Sequence, residues 1–408
     1  MLCKKVSGPS ATMAILRHLA ITSLVLAFVI GTALGQADLR QTAAQLQQEG
    51  KVAEAEAAWR AVLEKQPADA DAYANLGILE ARQEHYKAAV RNYRKALALN
   101  PDMPGLRLDL GLSLFKGGEL QAAIETFESL LKSAPESSPE ALRLKTLIGL
   151  AHFGLGEYAA AVPLLQEAAA ADPQNLPFRL TLAQSCLWSK QYQCVLDVYK
   201  QIVTLNPESA EADMLAGQAY DEMKNDAGAL EQFRAAVKAD PKMPNAHFGY
   251  GYLLWRRMKF EEAEQEFKAE LANMPEHGQA LVFLGDTEMH LGHPDLAIPY
   301  LRHALRVDPT IPLAHLDLGV VYADQGRKDD ALRELLEAAK LSPQDQNVHW
   351  RLGRFYQSIG KKLEAKAEFD KTRSLQKAAD QSVFEKLHQA QTKGKPQNSD
   401  GDPPSARQ

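Results

Sequence analysis

Residues 70–101 read ADAYANLGILEARQEHYKAAVRNYRKALALNP, and their spacing of small, bulky and proline positions recurs along the chain. The recurrence is marked by Pro67, Pro101, Pro135, Pro173, Pro207, Pro241, Pro275, Pro309 and Pro343. Seven of the eight intervals between these prolines are 34 residues long, and the remaining one is 38. A fixed period of this size is typical of supersecondary units that stack side by side. The 408 residues are therefore predicted to form a repeat array rather than several globular domains.

Three columns of each repeat predict how its helices pack, when the proline is numbered position 32. Position 8 is nearly always glycine, position 20 is small and position 24 is bulky, as in Gly77, Ala89 and Tyr93. Glycine inside a helix costs about 1 kcal/mol relative to alanine, so a steric reason is expected. We predict that two antiparallel helices cross with one small residue on each, and that the position-24 side chain fills the space beside them. The proline then stops the second helix.

This pattern resembles the tetratricopeptide repeat family. The matching residues of one repeat are Leu76, Gly77, Ala89, Tyr93, Ala96 and Pro101. The resemblance covers residues 36–375 as ten repeats, of which the fifth is the least regular and the first and last depart from the pattern, as end repeats do. It implies an all-α fold, a right-handed α-solenoid of about ten helix hairpins with a C-terminal capping helix, whose first helices line a concave groove.

The segment before the array has the composition of an export signal. Residues 1–35 carry three basic residues and no acid, and residues 19–37 carry no charge. A basic head followed by a short apolar centre is typical of a signal peptide, cleaved here before Gln36. The alternative is an uncleaved anchor, because the uncharged run is long enough to cross a bilayer. The protein is expected to be periplasmic or secreted, or else anchored in the inner membrane facing the periplasm through this segment alone.

Two further segments follow the array. Residues 376–391 keep apolar residues at helical spacing, which predicts a capping helix over the last exposed apolar face. Residues 392–408 are rich in glycine, proline, serine and aspartate, which predicts a disordered tail.

The family resemblance also implies where a partner binds, because positions 2, 5, 9, 12 and 13 of each repeat face the groove in that family. The candidate partner-binding residues are Leu112, Phe115, Phe153, Trp188, Phe248, Tyr252, Trp255, Met289, Val320, Trp350, Arg256 and Arg354. Such a lining favours an apolar groove for an extended segment or helix of another protein, with aromatic anchors. The alternative is that a tight superhelix, or the last helix folding back, buries these side chains.

The predicted function is a non-catalytic protein–protein interaction scaffold that binds other proteins or peptides in this groove. The alternative is a constitutive accessory subunit of a cell-envelope assembly or export machine, for polysaccharide, pili or outer-membrane biogenesis. No dinucleotide, phosphate-loop, zinc-protease or serine-hydrolase motif is present, so neither an enzyme nor a cofactor is expected. The formal net charge of −6 makes nucleic-acid binding unfavourable.

The cysteines and histidines leave two smaller questions open. Cys186 and Cys194 fall near the closed end of the fifth hairpin, where an exported protein can form a disulfide; the alternative is two small buried side chains. His290 and His293 flank a turn without a completing cysteine or acid cluster, so structural roles are predicted and no metal site is expected.

Overall fold

The computed structural model describes residues 39–393, and within that range every regular element is a helix. The predicted signal or anchor over residues 1–35 lies outside the described residues, as do residues 394–408 of the predicted tail. The first two residues of that tail, 392 and 393, are instead the end of a helix. Among the helices that are described, none combines the length and apolar character needed to cross a membrane.

The chain divides into two compact units, which we call the N-terminal unit (Met1–Leu205) and the C-terminal unit (Asn206–Gln408). The described helices of the N-terminal unit are α1 (39–48), α2 (Val52–Lys65), α3 (Ala70–Arg82), α4 (Tyr86–Leu99), α5 (Leu106–Lys116), α6 (Leu120–Leu131), α7 (Pro139–Gly154), α8 (Tyr158–Ala171), α9 (Leu176–Trp188) and α10 (Tyr192–Leu205). Those of the C-terminal unit are α11 (Ala210–Glu222), α12 (Asp226–Ala239), α13 (Ala246–Arg256), α14 (Phe260–Asn273), α15 (Gly278–His290), α16 (Pro294–Val307), α17 (Pro312–Asp324), α18 (Lys328–Leu341), α19 (Gln346–Ser358) and α20 (Lys362–Lys393).

Within each unit the helices pair into hairpins, and each hairpin packs on the next. In the C-terminal unit, for example, α13 pairs with α14, and α14 in turn packs on α15. The first helices of successive hairpins also touch there, α13 with α15, α15 with α17 and α17 with α19. The prediction of an all-α solenoid of helix hairpins is confirmed.

Most of the position-8 glycines lie directly against the bulky residue at position 24. A Cβ atom on Gly77 would lie 2.5 Å from Cδ1 of Tyr93, and one on Gly217 would lie 2.8 Å from Cδ1 of Phe233. The prediction that position 24 fills the space beside a pair of small residues is therefore refined, because the ring lies directly on the glycine. Tyr93 is only 2% exposed, which shows how completely this site buries an aromatic side chain.

Position 15, in the turn of each hairpin, has a left-handed backbone whether or not it is glycine. Gly292 has φ of 83°, and Met258, at the same position of the hairpin before it, has φ of 59°. Glu84, Lys190 and Lys224 share this conformation. The turn glycines were evident in the sequence, whereas these four residues were not, because no L side chain favours this region.

The predicted capping segment is the second half of α20. Residues 376–391 continue this helix without a break, because Lys377 stands where the other repeats have the helix-stopping proline. Leu375, just before this segment, is half-buried, and Ala379 within the segment is exposed.

The joints between hairpins of the C-terminal unit use three of the histidines. His247, His315 and His349 all occupy position 4, and Nε2 of each lies 3.1 Å from the carbonyl oxygen of the preceding position-32 proline. Nδ1 of each lies 2.6–2.7 Å from a glutamate carboxylate of the next helix, as His315 does from Glu334. Each ring therefore links the loop before its own helix to the helix that follows.

Candidate partner-binding groove

A cleft of about 620 Å³ opens between the first helices of three successive hairpins of the C-terminal unit, α11, α13 and α15. Its lining residues are Met214, Gln218, Asp221, Glu222, Phe233, Asn245, Phe248, Gly249, Tyr252, Gln279 and Phe283. Most of them occupy positions 2, 5, 9, 12 and 13 of their repeats. We call this cleft the aromatic cleft. The first-helix face is the surface that contains it, formed by α11, α13, α15, α17 and α19.

One wall of the aromatic cleft is a cluster of half-buried rings from α13 and α15. Tyr252 lies 5.1 Å from Phe283 at 72°, and Trp255 lies 5.0 Å from Phe283 at 71°, both edge-to-face arrangements. Phe248 packs 6.0 Å from the same ring. Each ring therefore fixes its neighbour, and the wall exists before any partner binds.

The start of α13 is fixed by two side chains from outside that helix, those of Glu270 and His277. The buried carboxylate of Glu270 accepts from the backbone N–H groups of Asn245 (2.9 Å) and Phe248 (3.0 Å), which caps the helix. Nδ1 of His277 accepts from the N–H of Ala280, so Nε2 carries the proton and donates to Oδ1 of Asn245 at 2.8 Å. Asn245 is thus held at the rim of the aromatic cleft.

The opposite wall is acidic and comes from the last turn of α11. Asp221 and Glu222 both line the aromatic cleft. Nη1 of Arg256 donates to Oδ1 of Asp221 at 2.7 Å, and Nη2 of the same guanidinium donates to Asp226. The Arg256 guanidinium also lies 5.7 Å from the centre of the Tyr252 ring. Arg256, predicted as a groove residue, therefore braces the acidic wall against the aromatic one.

A second, smaller depression of about 230 Å³ lies on the same face between α17 and α19. Three predicted groove residues, Val320, Trp350 and Arg354, line it together with Arg351. The guanidinium groups of Arg351 and Arg354 lie 5.3 Å and 5.2 Å from the centre of the Trp350 ring. Because Asp324 also lines this depression, its lining carries one net positive charge.

Two buried carboxylates lie between these depressions. Oδ2 of Asp286 accepts from Nε1 of Trp255 at 2.5 Å, whereas Oδ2 of Asp317 is buried without a hydrogen-bond partner. Burial, and next the charge of Asp286, raise the pKa of Asp317 well above its usual range, while Arg351 lowers it. Burial also raises the pKa of Asp286, against the lowering by its bond to Trp255.

The groove residues predicted in the N-terminal unit fall into two groups. Phe153 stacks on Trp188 at 6.1 Å, and Tyr158 lies 4.6 Å from Trp188, whose side chain is 54% exposed. Leu112 and Phe115 are partly buried against the core cluster of α5, α6 and α7. Burial of the predicted groove residues, which the sequence left open as an alternative, therefore applies in part to Leu112 and Phe115.

The structure records a disulfide between Cys186, at the end of α9, and Cys194, at the start of α10. The two Cα atoms are 5.8 Å apart, within the range that a disulfide spans. Cys186 is fully buried. Thiol titration of the unfolded chain remains the direct test of this bond.

The structure brings together Phe248, Tyr252, Trp255 and Arg256 in one place, and it places Met289 against a core cluster of the same unit. The sequence did not single out Phe283, which stands at position 6, one residue beyond the groove column. The sequence pattern that could have indicated Phe283 is an aromatic residue in the first helix of the repeat that follows Phe248 and Tyr252. Within the described residues, no group of three histidine, cysteine, aspartate or glutamate side chains could hold a metal ion.

The chain resembles several curated proteins over part of their length. It is 25% identical to BBSome complex member BBS4 of Bos taurus over 261 residues, which covers 64% of this chain and 49% of that protein. It is 22% identical to the protein CTR9 homolog of Arabidopsis thaliana over 294 residues, which covers 70% of this chain and 27% of that protein. The chain therefore spans half or less of these relatives.

Solved structures with similar folds match at low identity. The TPR protein YrrB, described as having an unusual peptide-binding site, is 22% identical, with 46% of this chain and 97% of that chain covered and a TM-score of 0.38. A tetratricopeptide repeat protein from Parabacteroides merdae is 18% identical, with 61% and 97% covered and a TM-score of 0.45.

A family model described as tetratricopeptide repeat matches the sequence seven times. The matches cover residues 43–104, 75–138, 108–176, 196–244, 227–278, 251–298 and 284–346. They leave out nearly all of α9, the first helix of the irregular fifth hairpin, and the last hairpin of α19 and α20, and together span well over half of the chain. The chain belongs to the tetratricopeptide repeat family.

Proposed function

We propose that this protein is a non-catalytic scaffold that binds a segment of a partner protein in the aromatic cleft of its C-terminal unit. The repeats indicate a protein–protein interaction scaffold. The finer assignment, to this cleft, is supported by one observation above all: Phe248, Tyr252 and Phe283 form an interlocked wall on a surface that is open to other molecules.

Preorganisation is the physical basis of this binding mode. The rings are held edge to face, and Asn245 is held by Glu270 and His277. A surface that is already ordered loses little conformational entropy on binding, so the ordering cost falls on the partner segment. Large aromatic side chains in such a setting supply most of the binding energy of protein interfaces.

The second candidate function is a constitutive subunit of a cell-envelope assembly or export machine. The specific observation that favours it is the disulfide between Cys186 and Cys194, because disulfides persist in oxidising compartments. The basic and apolar composition of residues 1–35 agrees with export to the periplasm or the medium. Such a subunit should self-associate or aggregate when made without its partner.

Selection of peptides from a displayed random library tests the proposed site. Peptides selected on the full chain are expected to lose about fivefold or more in affinity when Tyr252→Ala removes one ring of the wall, since an aromatic anchor contributes about 1–3 kcal/mol. The matched control is Leu296→Ala on α16, an exposed apolar residue away from this face. Equal losses in both variants, or in neither, would exclude the aromatic cleft.

A further inference from the structure

We propose that the aromatic cleft recognises a basic side chain, lysine or arginine, of the partner segment. This inference rests on the proposed function and goes beyond it, because it states the chemistry of the residue that enters. It is drawn from the charges, the rings and the polar groups that surround one volume of about 620 Å³.

The charge of the lining is the first observation. Asp221 and Glu222 line the aromatic cleft, and no lysine or arginine is among its lining residues. The neighbouring Arg256 bonds to both Asp221 and Asp226, so one positive charge is shared between two negative ones. Asp221, Asp226 and Arg256 together carry one net negative charge beside the aromatic cleft. An acidic side chain would be repelled there, and a cation would be attracted.

The rings opposite the acidic wall are the second observation. Phe248, Tyr252 and Phe283 line the volume, and the face of an aromatic ring attracts a cation within about 6 Å of its centre. The Tyr252 ring already has one such contact, with the guanidinium of Arg256 at 5.7 Å. The apolar part of the lining also suits the aliphatic stem of lysine or arginine.

The remaining polar groups fit the same occupant. Gln218 and Gln279 are exposed amides in the lining, and their carbonyl oxygens can accept hydrogen bonds from an ammonium or guanidinium group. Asn245 adds no charge, and its carbonyl oxygen is already engaged by His277. An isolated metal ion is a poorer occupant, because hard cations need several oxygen ligands and one of the two carboxylates is bonded to Arg256.

The opposite end of the first-helix face provides an internal contrast. Arg351 and Arg354 flank Trp350 there, and with Asp324 also in the lining that depression has aromatic surface and one net positive charge. If apolar character alone governed binding, the two depressions would select similar residues. Charge complementarity instead predicts that a basic residue selects the aromatic cleft and avoids the depression beside Trp350.

The test is a positional-scanning array of acetylated twelve-residue peptides of random composition, in which one central position is fixed as lysine, arginine, norleucine or glutamate. With the full chain, lysine or arginine is expected to give about tenfold stronger binding than glutamate, the ratio that corresponds to about 1.4 kcal/mol. Glu222→Gln is expected to reduce this preference at least threefold, and Glu261→Gln, which removes an exposed carboxylate on α14 outside the aromatic cleft, is the matched control and is expected to leave it unchanged. Added salt should weaken the preference, because the attraction is partly screened.

The outcomes separate this inference from the function on which it rests. Binding that Tyr252→Ala abolishes, but that shows no preference for lysine or arginine over norleucine, overturns the basic-residue inference and leaves the aromatic cleft as a partner site. A preference for glutamate overturns it equally. Absence of any binding that depends on Tyr252 overturns both proposals.

Discussion

Replacing Gly217 with leucine tests the packing of the hairpins most severely. Gly217 lies in α11, opposite the Phe233 ring of α12. A Cβ atom there would lie 2.8 Å from both Cδ1 and Cε1 of Phe233 and 3.2 Å from Cγ. Because Phe233 is only 5% exposed, its ring has little room to move aside. The substituted side chain therefore has to push α11 and α12 apart.

The expected loss of stability follows from two opposing effects. Overfilling a packed core costs about 1–3 kcal/mol. Replacing glycine in the helix interior also stabilises the helix by up to about 1 kcal/mol. The net loss of stability for Gly217→Leu is therefore expected in the lower part of the range of about 1–3 kcal/mol. Since about 1 kcal/mol shifts the melting temperature of a domain of this size by about 2–4 °C, the change is measurable.

Thermal and urea unfolding followed by circular dichroism provide the assay. Gly278→Ala is the matched control, because a Cβ at Gly278 meets only Ile311 at 3.5 Å and Val307 at 3.7 Å, which are ordinary contacts. Combining Gly217→Leu with Phe233→Ala should cost less than the sum of the two single changes, since the smaller residue makes room. A melting temperature of Gly217→Leu equal to that of the wild type would refute the packing scheme.

Three further predictions concern single residues of the C-terminal unit. The bond between His315 and Glu334 raises the pKa of His315 and lowers the pKa of Glu334. The pair therefore stabilises the fold below the ordinary histidine pKa of 6.5, and this stabilisation is lost as the pH rises through the raised pKa of His315. It is also lost as the pH falls through the lowered pKa of Glu334. The destabilisation of His315→Gln in urea should therefore shrink from about pH 6 to about pH 9; a constant difference would contradict it. Burial raises the pKa of Asp317, so the folded state loses stability as the pH rises above the ordinary pKa of an aspartate. Asp317→Asn should therefore increase the free energy of unfolding by about 1–3 kcal/mol at neutral pH and leave it unchanged in acid. A loss of stability at neutral pH would refute this. Met258→Gly should raise stability by about 1 kcal/mol, because Met258 has φ of 59°, and Gly292→Ala should lower it by a similar amount; equal melting temperatures would contradict the turn geometry.

Much of the fold follows from the sequence because the repeat multiplies a weak signal. A glycine such as Gly77 is unremarkable alone, but its recurrence at position 8 identifies a close approach of two helices. The sequence also assigns the space beside this small residue to position 24, and the structure places the Tyr93 ring there. What the pattern does not show is how closely the ring approaches, since a Cβ on Gly77 would lie 2.5 Å from it.

The turns illustrate a limit of local propensity. Glycine at position 15 indicates a left-handed residue, but Met258 adopts the same conformation because the hairpin around it requires it. The packing of two helices outweighs a cost of about 1 kcal/mol at a single residue. Tertiary structure therefore decides such positions, and the residue type does not reveal them.

The candidate site was predictable in part. The columns that resemble the family's groove correctly bring Phe248, Tyr252 and Trp255 to one surface. They do not indicate that Phe283 completes the wall, nor that Glu270 and His277 fix its rim. Those contacts join residues far apart in sequence, and each depends on helix spacing that no single repeat encodes.

Photo-crosslinking tests most directly whether a partner segment occupies the aromatic cleft. A photoreactive residue in place of Gln279, an exposed lining residue, should crosslink to a library-selected peptide. The same residue in place of Leu296 on α16 should not. Crosslinking from position 296 with none from position 279 would contradict binding at the first-helix face.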